Sequence, residues 1–143
     1  MNFLVLNGPN LNLLGQREPG IYGEESYAAL CAALETFAAA HGSSVTCFQS
    51  NHEGALIDQL HAAQGAYDAI VINPGAFTHY SYALLDALKA ITVPAIEVHI
   101  SNVHQREEFR HTSVTAPACV GQICGLGLYG YQAALSYFLE TQR

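Results

Sequence analysis

Glu97 and His99 differ in acid–base character and lie two positions apart at the end of an apolar run. Side chains two residues apart leave the same face of a strand, so this carboxylate and imidazole would be neighbours. A carboxylate in that position fixes the imidazole tautomer and favours the protonated ring, as a general acid requires. The spacing makes His99 a candidate general acid oriented by Glu97. A hydrogen-bonded histidine with a purely structural role fits the same spacing equally well.

Arg17 and Tyr22 form a second candidate pair, in the stretch 7–23, which reads N-G-P-N-L-N-L-L-G-Q-R-E-P-G-I-Y-G. Its four glycines and two prolines disfavour any regular element. Such a long loop in a small domain is usually functional, and we predict a hinged lid over about residues 15–24. A phenol ionises near pH 10 in water, and a guanidinium beneath a closed lid would stabilise the phenolate. Tyr22 is therefore a candidate base assisted by Arg17, although a tyrosine that only packs the lid down explains the sequence at least as well.

Further candidate ligands follow two other segments. His79 comes after a Pro-Gly turn, where it could cap the next helix or bind a ligand hydroxyl. Arg110 ends the segment R-E-E-F-R and is either a solvated surface charge or a clamp for a substrate carboxylate. The backbone amides of Ile100 and Ser101 could share that carboxylate if they begin a helix. A lining of amides, hydroxyls and imidazoles with few charges suits a polyol or sugar-like ligand.

Short apolar runs alternate with helical patterns along the chain. We predict strands at 2–6, 45–49, 69–72, 95–98 and 119–123, and helices at about 26–41, 53–65, 80–91 and 127–141. Strict β-α alternation indicates one α/β domain over residues 1–143. It would be a flavodoxin-like three-layer α/β/α sandwich, with a five-stranded parallel sheet in the order 2-1-3-4-5. Ligands of such sheets bind beyond the carboxyl ends of the strands, where Asn10, Asn73 and His99 fall.

The charge balance argues against several classes of partner. Five Lys and Arg residues against twelve Asp and Glu residues give a net charge of −7, which repels nucleic-acid backbones. No stretch resembles a signal peptide or approaches the length of a membrane span, so we expect a cytoplasmic protein without a membrane partner. The four cysteines lack C-x-x-C spacing and are expected to be reduced.

Motifs for cofactors and metals are absent or misplaced. The segment G-L-G-L-Y-G matches the dinucleotide fingerprint G-x-G-x-x-G, but no strand and ribose-binding acid follow it. The seven histidines show no ligand spacing, so we expect no metal. Lys89, the only lysine, falls mid-helix and is badly placed for a P-loop or for Schiff-base catalysis. We therefore expect cofactor-free acid–base chemistry by Tyr, His, Arg and Asn side chains.

Six segments, in order along the chain, carry a specific resemblance. They are L-N-G-P-N-L-N-L-L-G, R-E-P-G-I-Y-G, Q-S-N-H-E-G, N-P-G-A-F-T-H, I-E-V-H-I-S-N-V-H-x-R-E-E-F-R and G-L-G-L-Y-G-Y. On these segments the chain resembles the type II 3-dehydroquinate dehydratases over nearly its whole length. The resemblance implies a flavodoxin-like enzyme of the shikimate pathway that removes water from 3-dehydroquinate to give 3-dehydroshikimate. It also implies that no metal or cofactor is needed, and that the chain assembles as a homododecamer, a tetramer of trimers.

The resemblance also implies roles for individual residues. Tyr22 would take the proton from C2 of the substrate, with Arg17 favouring the phenolate. Asn10 would hold the resulting enolate, and His99, oriented by Glu97, would protonate the departing C1 hydroxyl. The implied substrate-binding residues are Asn73, His79, Asp86, Ile100, Ser101 and Arg110. Of these, Asp86 would reach the site of a neighbouring subunit, although helical periodicity places it on the surface.

Two other classes of function fit parts of the sequence. A flavodoxin-like module could bind a flavin or nucleotide, with the N-G-P-N loop as its phosphate cradle; with a flavin it would be yellow. A structural oligomer could use the same rim only to pack subunits together. A mobile loop that carries Arg17 and Tyr22 argues against the structural oligomer.

Overall fold

The computed structural model describes residues 1–142; Arg143, which the sequence analysis includes in the single domain, lies outside the described residues. Five parallel strands form one sheet in the order β2-β1-β3-β4-β5, which confirms the predicted order. The strands are β1 (Asn2–Asn7), β2 (Ser44–Gln49), β3 (Ala69–Asn73), β4 (Ala95–His99) and β5 (Gly121–Cys124). All of β3 and β4 is buried, as expected for strands whose sequences are nearly continuous apolar runs.

Helices cover both faces of the sheet, which confirms the three-layer architecture. They are α1 (Pro19–Tyr22), α2 (Tyr27–Ala40), α3 (Glu53–Ala63), α4 (Tyr82–Ala90) and α5 (Tyr129–Thr141). On one face, α2 and α5 bury Leu34 and Phe138 against the sheet. On the other, α3 and α4 bury Leu60 and Leu84. Removing one of these side chains by substitution with alanine would cost roughly 2–5 kcal/mol.

Side-chain caps set the starts of two helices. Ser26 accepts a hydrogen bond from the Ala29 amide and begins α2. Ser81 likewise accepts from Leu84 and begins α4. Such a cap satisfies one of the free amides in the first turn and is worth about 1 kcal/mol. Because Ser81 caps α4, the alternative reading of His79 as the cap of that helix is wrong.

Two sequence predictions need correction. The stretch 7–23 contains a 3₁₀ turn, Leu11–Leu13, and the helical turn α1, so the expectation of no regular element there is wrong. Proline stands at the first position of α1, where its fixed φ and missing amide are tolerated. The fifth strand begins at Gly121 and not at 119, because the Cys119 amide closes a 3₁₀ turn on the Ala116 carbonyl instead of joining the sheet.

Among residues 1–142, no helix is both long and apolar enough to cross a membrane.

Candidate active site

A cleft of about 250 Å³ opens beyond the carboxyl ends of β1, β3 and β4, where α/β sheets of this kind bind ligands. Of the eleven site residues predicted from the sequence, all but Glu97 and Asp86 line it. The nine are Asn10, Arg17, Tyr22, Asn73, His79, His99, Ile100, Ser101 and Arg110.

The floor of the cleft depends on two glycines in the loops that follow β1 and β3. A side chain on Gly8 would place its Cβ 2.3 Å from the Pro74 carbonyl oxygen. Gly75 has a φ of 61°, and a Cβ there would come within 3.2 Å of the Pro9 carbonyl oxygen. The two loops can therefore lie against each other only because both positions lack side chains. Their contact brings the first and third strand ends into one site.

Glu97 and His99 are hydrogen-bonded at the end of β4. The His99 Nε2 donates to Glu97 Oε2 over 2.9 Å, and both residues are buried. Burial alone would raise the pKa of Glu97, but its hydrogen bonds from His99, Thr115 and Ser113 hold that pKa below the usual value for a carboxyl. Glu97 is therefore ionised at neutral pH and fixes the His99 tautomer. The other ring nitrogen, Nδ1, is left for a ligand.

Three further side chains donate to the Glu97 carboxylate. Ser113 Oγ and Gln122 Nε2 reach Oε2 at 2.8 and 2.6 Å, and the Thr115 hydroxyl donates to Oε1. Sequence reasoning did not select any of the three, because none belongs to a recognisable motif. Only a buried carboxylate next to a histidine signals that such donors must exist somewhere.

Tyr22 projects from α1 into the cleft between two guanidinium groups. Arg106 Nη1 donates to the Tyr22 hydroxyl oxygen over 2.9 Å. The Arg17 guanidinium lies over the phenol ring, 4.7 Å from its centroid, and that of Arg106 lies 5.3 Å from the same centroid. Two cations therefore flank this phenol, and one of them donates a hydrogen bond to its oxygen.

Arg106 is the main cleft residue that the sequence analysis did not select. It begins the same R-E-E-F-R segment that Arg110 ends, and it lies within reach of Ser101 Oγ at 3.4 Å. The available signal was that segment itself, in which either arginine could turn inward. The partner of Arg106, Tyr22, is 84 residues away along the chain, so no local spacing links the two residues.

His79 is held in one tautomer. Its Nδ1 donates to the Thr112 carbonyl oxygen over 2.9 Å, which leaves Nε2 as an acceptor when the ring is neutral. Partial burial lowers the pKa of His79, so the ring is neutral at pH 7. A neutral Nε2 in the cleft suits a donor such as a ligand hydroxyl.

Asn73 is oriented by a buried chain of side chains that runs through α5 to the end of β1. Its Nδ2 donates to the Tyr131 hydroxyl over 2.9 Å, and that hydroxyl donates to Asn7 Oδ1 over 2.6 Å. The Gly75 amide donates to Asn73 Oδ1 over 3.1 Å. The amide orientation is therefore determined, and one Nδ2 hydrogen is left to bind a ligand oxygen.

Asn10 and Arg110 lie at the rim of the cleft. Asn10 has a left-handed φ of 69°, and its backbone amide donates to Asn51 Oδ1, so the loop after β2 helps to hold it. Arg110 stacks on Phe109 and donates through Nε to Glu107, and its remaining nitrogens can meet a carboxylate. This hydrogen bond from Arg110 holds the pKa of the exposed Glu107 below its usual value.

Asp86 does not join the other predicted residues. It lies within α4 and does not line the cleft of its own chain. Within residues 1–142, no group of three or more His, Cys, Asp or Glu side chains is arranged to hold a metal ion. The cleft thus offers a phenol, two imidazoles, two amides and three guanidiniums, a set suited to moving protons on an anionic polyol.

Comparison with known proteins gives consistent matches over nearly the whole chain. The family model for class II dehydroquinase matches residues 1–139. A 3-dehydroquinate dehydratase of Bacillus cereus (strain AH820) is 57 % identical over 140 residues, which cover 98 % of this chain and 96 % of that protein. A 3-dehydroquinate dehydratase of Anoxybacillus flavithermus is 59 % identical over 140 residues, with coverages of 98 % and 95 %.

Solved structures give the same result. The type II dehydroquinase from Butyrivibrio crossotus superposes with a TM-score of 0.95 at 54 % identity, covering 99 % of this chain and 98 % of that one. A 3-dehydroquinate dehydratase-like protein from Bifidobacterium longum superposes with a TM-score of 0.73 at 30 % identity, with coverages of 98 % and 96 %.

Proposed function

The chain belongs to the class II dehydroquinase family and therefore acts as a hydro-lyase on 3-dehydroquinate, and from this premise we propose that Tyr22 is the base and His99 the acid of the elimination. The substrate carries a ketone at C3, so loss of a proton from C2 gives an enolate. The enolate then expels the C1 hydroxyl, which leaves as water once it is protonated. Two proton transfers and one site for negative charge are all that this route requires.

The base end of the cleft supports the first transfer. Tyr22 accepts a hydrogen bond from Arg106 and lies under the Arg17 guanidinium, so its phenolate is stabilised where it must act. Closure of the lid excludes water and strengthens both interactions. Asn10, on the loop after β1, holds the enolate oxygen that develops as the C2 proton leaves.

The acid end supports the second transfer. Glu97 fixes the His99 ring through Nε2 and compensates the positive charge of its protonated form. His99 donates its other proton to the departing hydroxyl. Each turnover leaves the proton on Tyr22 and removes one from His99, and exchange with solvent restores both when the lid opens.

The remaining cleft residues bind the substrate. Arg110 and the Ile100-Ser101 backbone hold the carboxylate, and His79 and Asn73 bind hydroxyls. The neutral Nε2 of His79 and the oriented Nδ2 of Asn73 match a hydroxyl hydrogen and a hydroxyl oxygen, respectively. We also place the enzyme in the shikimate pathway and in the cytoplasm.

We further propose that the chain assembles as a homododecamer, a tetramer of trimers, in which Asp86 reaches a neighbouring subunit's cleft. Several large side chains are exposed on the isolated chain and suit subunit contacts, including Tyr80, Tyr82 and Phe109. Light scattering coupled to size-exclusion chromatography should give the mass of twelve chains, and a monomer with full activity would exclude the role of Asp86.

One observation carries the proposal: the Tyr22 phenol and the His99 imidazole line the same cleft. The phenol is hydrogen-bonded to a guanidinium, and the imidazole is hydrogen-bonded to a buried carboxylate. The test is a near-ultraviolet assay of chelator-treated protein with 3-dehydroquinate, which follows the conjugated enone carboxylate of the product. Rapid turnover is expected. If the folded, assembled protein shows no turnover, the mechanism is wrong. If that protein is also colourless, it holds no flavin, and a screen for nucleotide binding comes next.

Borohydride distinguishes the enolate route from a Schiff-base route. Lys89 lies exposed on α4 and does not line the cleft, so no imine with substrate is expected. Incubation with 3-dehydroquinate and borohydride should therefore leave activity unchanged, relative to borohydride alone, and the mass of the chain should not increase. A mass increase by one reduced substrate would refute the enolate mechanism.

A further inference from the structure

Gln122 lies outside the cleft but bonds to the carboxylate that orients the candidate acid. It belongs to β5, the exposed edge strand, and is paired in register with Glu97 on β4. Paired residues of neighbouring parallel strands project from the same face of a sheet, so the backbone places the two side chains together. The Gln122 Nε2 donates to Glu97 Oε2, the same oxygen that accepts the hydrogen bond from His99 Nε2.

Glu97 is a buried anion whose charge must be compensated locally. Its side chain has no exposed surface, and its one ion pair among the described residues is with His99, which is charged only when protonated. Whenever His99 has given up its proton, the carboxylate depends on neutral donors alone. These donors are the Nε2–H of neutral His99 and the side chains of Ser113, Thr115 and Gln122. A buried carboxylate without them would bind a proton and cease to act as an anion.

The two hydroxyl donors are themselves held in place. Thr78, on the 3₁₀ turn that leads to His79, lies 2.7 Å from Ser113 Oγ and 2.9 Å from Thr115 Oγ1. The Ala116 amide also donates to Ser113 Oγ over 2.9 Å. The Thr78 hydroxyl has one hydrogen and can donate to only one of the two, whereas the Ala116 amide always donates to Ser113 Oγ and leaves the Ser113 hydrogen for Glu97. Gln122 completes the set from β5, the edge strand of the sheet.

We propose that Gln122, together with Ser113 and Thr115, is a positioning residue for the elimination: it keeps Glu97 ionised and its Oε2 directed at His99 throughout the proton-transfer cycle. Gln122 is suited to this task because a carboxamide donates a hydrogen bond without carrying a proton that the reaction could remove. This inference rests on the proposed role of His99.

Gln122→Met tests the proposal, because methionine keeps the length of the side chain but cannot donate a hydrogen bond. Without the third donor to Oε2, Glu97 becomes protonated at higher pH. Activity that needs ionised Glu97 is lost as pH falls, so the acidic limb of the kcat–pH profile should move upward by about one pH unit. At the optimum, kcat should fall about tenfold with KM unchanged, because Gln122 does not line the cleft.

Gln122→Glu provides a rescue with the opposite pH dependence. A protonated carboxyl at this position can donate to Glu97, whereas an ionised one repels it. Turnover by Gln122→Glu should therefore exceed that of Gln122→Met at acidic pH and decline as pH rises. A residue that served only the stability of the sheet would give neither limb shift nor rescue.

The outcomes separate this inference from the proposed function. Absence of turnover in the unsubstituted enzyme would refute the proposed function itself. If the unsubstituted enzyme turns over normally, two results for Gln122→Met would overturn the role of Gln122. One is a kcat–pH profile that superimposes on that of the unsubstituted enzyme, and the other is a lower kcat with unshifted limbs. If Gln122→Met does not fold, Ser113→Ala removes another donor to the same oxygen, and the same upward shift of the acidic limb is required of it.

Discussion

His99 and Tyr22 line the same cleft, but His99 ends a fully buried strand and Tyr22 ends a four-residue helical turn whose other residues are largely exposed. The Glu97 carboxylate that orients His99 accepts hydrogen bonds from four side chains, which β4, β5 and the loop between them supply. Tyr22 receives one hydrogen bond, from Arg106, and is flanked by Arg17.

The difference shows how the two proton transfers can be controlled separately. The proposed acid His99 is oriented through Glu97 by contacts of the sheet and its adjoining loop, which do not depend on the lid. The proposed base Tyr22 shares its predicted lid with Arg17 but accepts its hydrogen bond from Arg106, which lies outside that lid, so we expect this hydrogen bond only while the lid is closed. Chemistry can then begin only after closure has excluded water.

Removal of the lid hydroxyl should have the largest effect. Tyr22→Phe deletes the proposed base but keeps the ring beneath Arg17, so we expect kcat to fall about 10³-fold while KM changes little. Steady-state kinetics measure this, with isothermal titration of an inert substrate analogue to check binding. Tyr137→Phe, a half-exposed phenol remote from the cleft, is the matched control and should be neutral. Near-normal kcat in Tyr22→Phe would refute the assignment.

Removal of either guanidinium beside Tyr22 should have the next largest effect. Arg106→Ala deletes the hydrogen bond to the phenol oxygen, and kcat should fall about 10²-fold. Arg17→Ala should also lower kcat far more than it raises KM. Arg110→Ala is the matched comparison, because its loss should raise KM instead. An effect of Arg17→Ala or Arg106→Ala confined to KM would make that arginine a binding residue.

A hinge substitution tests the dependence of the base on closure. Gly23 follows α1 with φ 85° and ψ 176°, a conformation essentially restricted to glycine. Gly23→Ala should cost roughly 1–3 kcal/mol in the closed lid and lower kcat/KM by about tenfold. Gly20→Ala is the control, since Gly20 also has open space around it but no positive φ. Equal kinetics for the two variants would argue against a strained hinge.

The stability of the fold in acid tests the hydrogen-bonded Glu97 carboxylate, where we expect the smallest effect. The pKa of Glu97 is lower in the folded protein than its ordinary value of 4.5. Ionised Glu97 therefore stabilises the fold above about pH 4.5, and this contribution is lost as pH falls through the lower folded pKa. Chemical unfolding at several pH values should show a smaller loss of unfolding free energy with acid in Glu97→Gln than in the unsubstituted protein.

Glu140→Gln, on the exposed surface of α5, is the control for that experiment. It should follow the pH dependence of the unsubstituted protein. If Glu97→Gln and Glu140→Gln lose the same unfolding free energy between pH 7 and pH 3, the stabilisation of ionised Glu97 by its donors is refuted.

The sheet side of the molecule could be predicted closely from the sequence. The predicted boundaries of the strands and of the four predicted helices lie within about two residues of those in the structure. The Glu97–His99 hydrogen bond follows from a two-residue spacing on one strand. Local periodicity suffices there, because neighbouring residues determine which face each side chain occupies. The same reasoning found His79 and Asn73 at the end of β3 but not the Tyr131 hydroxyl that orients Asn73.

The lid side could be predicted only in part. Glycines and prolines in 7–23 concealed the helical turn α1, which forms because Pro19 preorganises its first residue. Arg106 on this side, and the Glu97 donors Ser113 and Gln122 on the sheet side, were missed because their partners are 16 to 84 residues away along the chain. Contacts of that range depend on how the strands are ordered and on which way each loop turns, and no local pattern encodes them.

Exchange of the C2 proton in D₂O, followed by proton NMR of 3-dehydroquinate, tests most directly the division between a base on the lid and an acid on the sheet. His99→Ala retains the base and should exchange C2 hydrogen well above the enzyme-free rate while forming almost no product. Tyr22→Phe retains the acid and should do neither. Exchange by Tyr22→Phe at the rate of the unsubstituted enzyme would contradict the assignment of the base to the lid. Loss of C2 exchange in His99→Ala would contradict the assignment of His99 to the second proton transfer only.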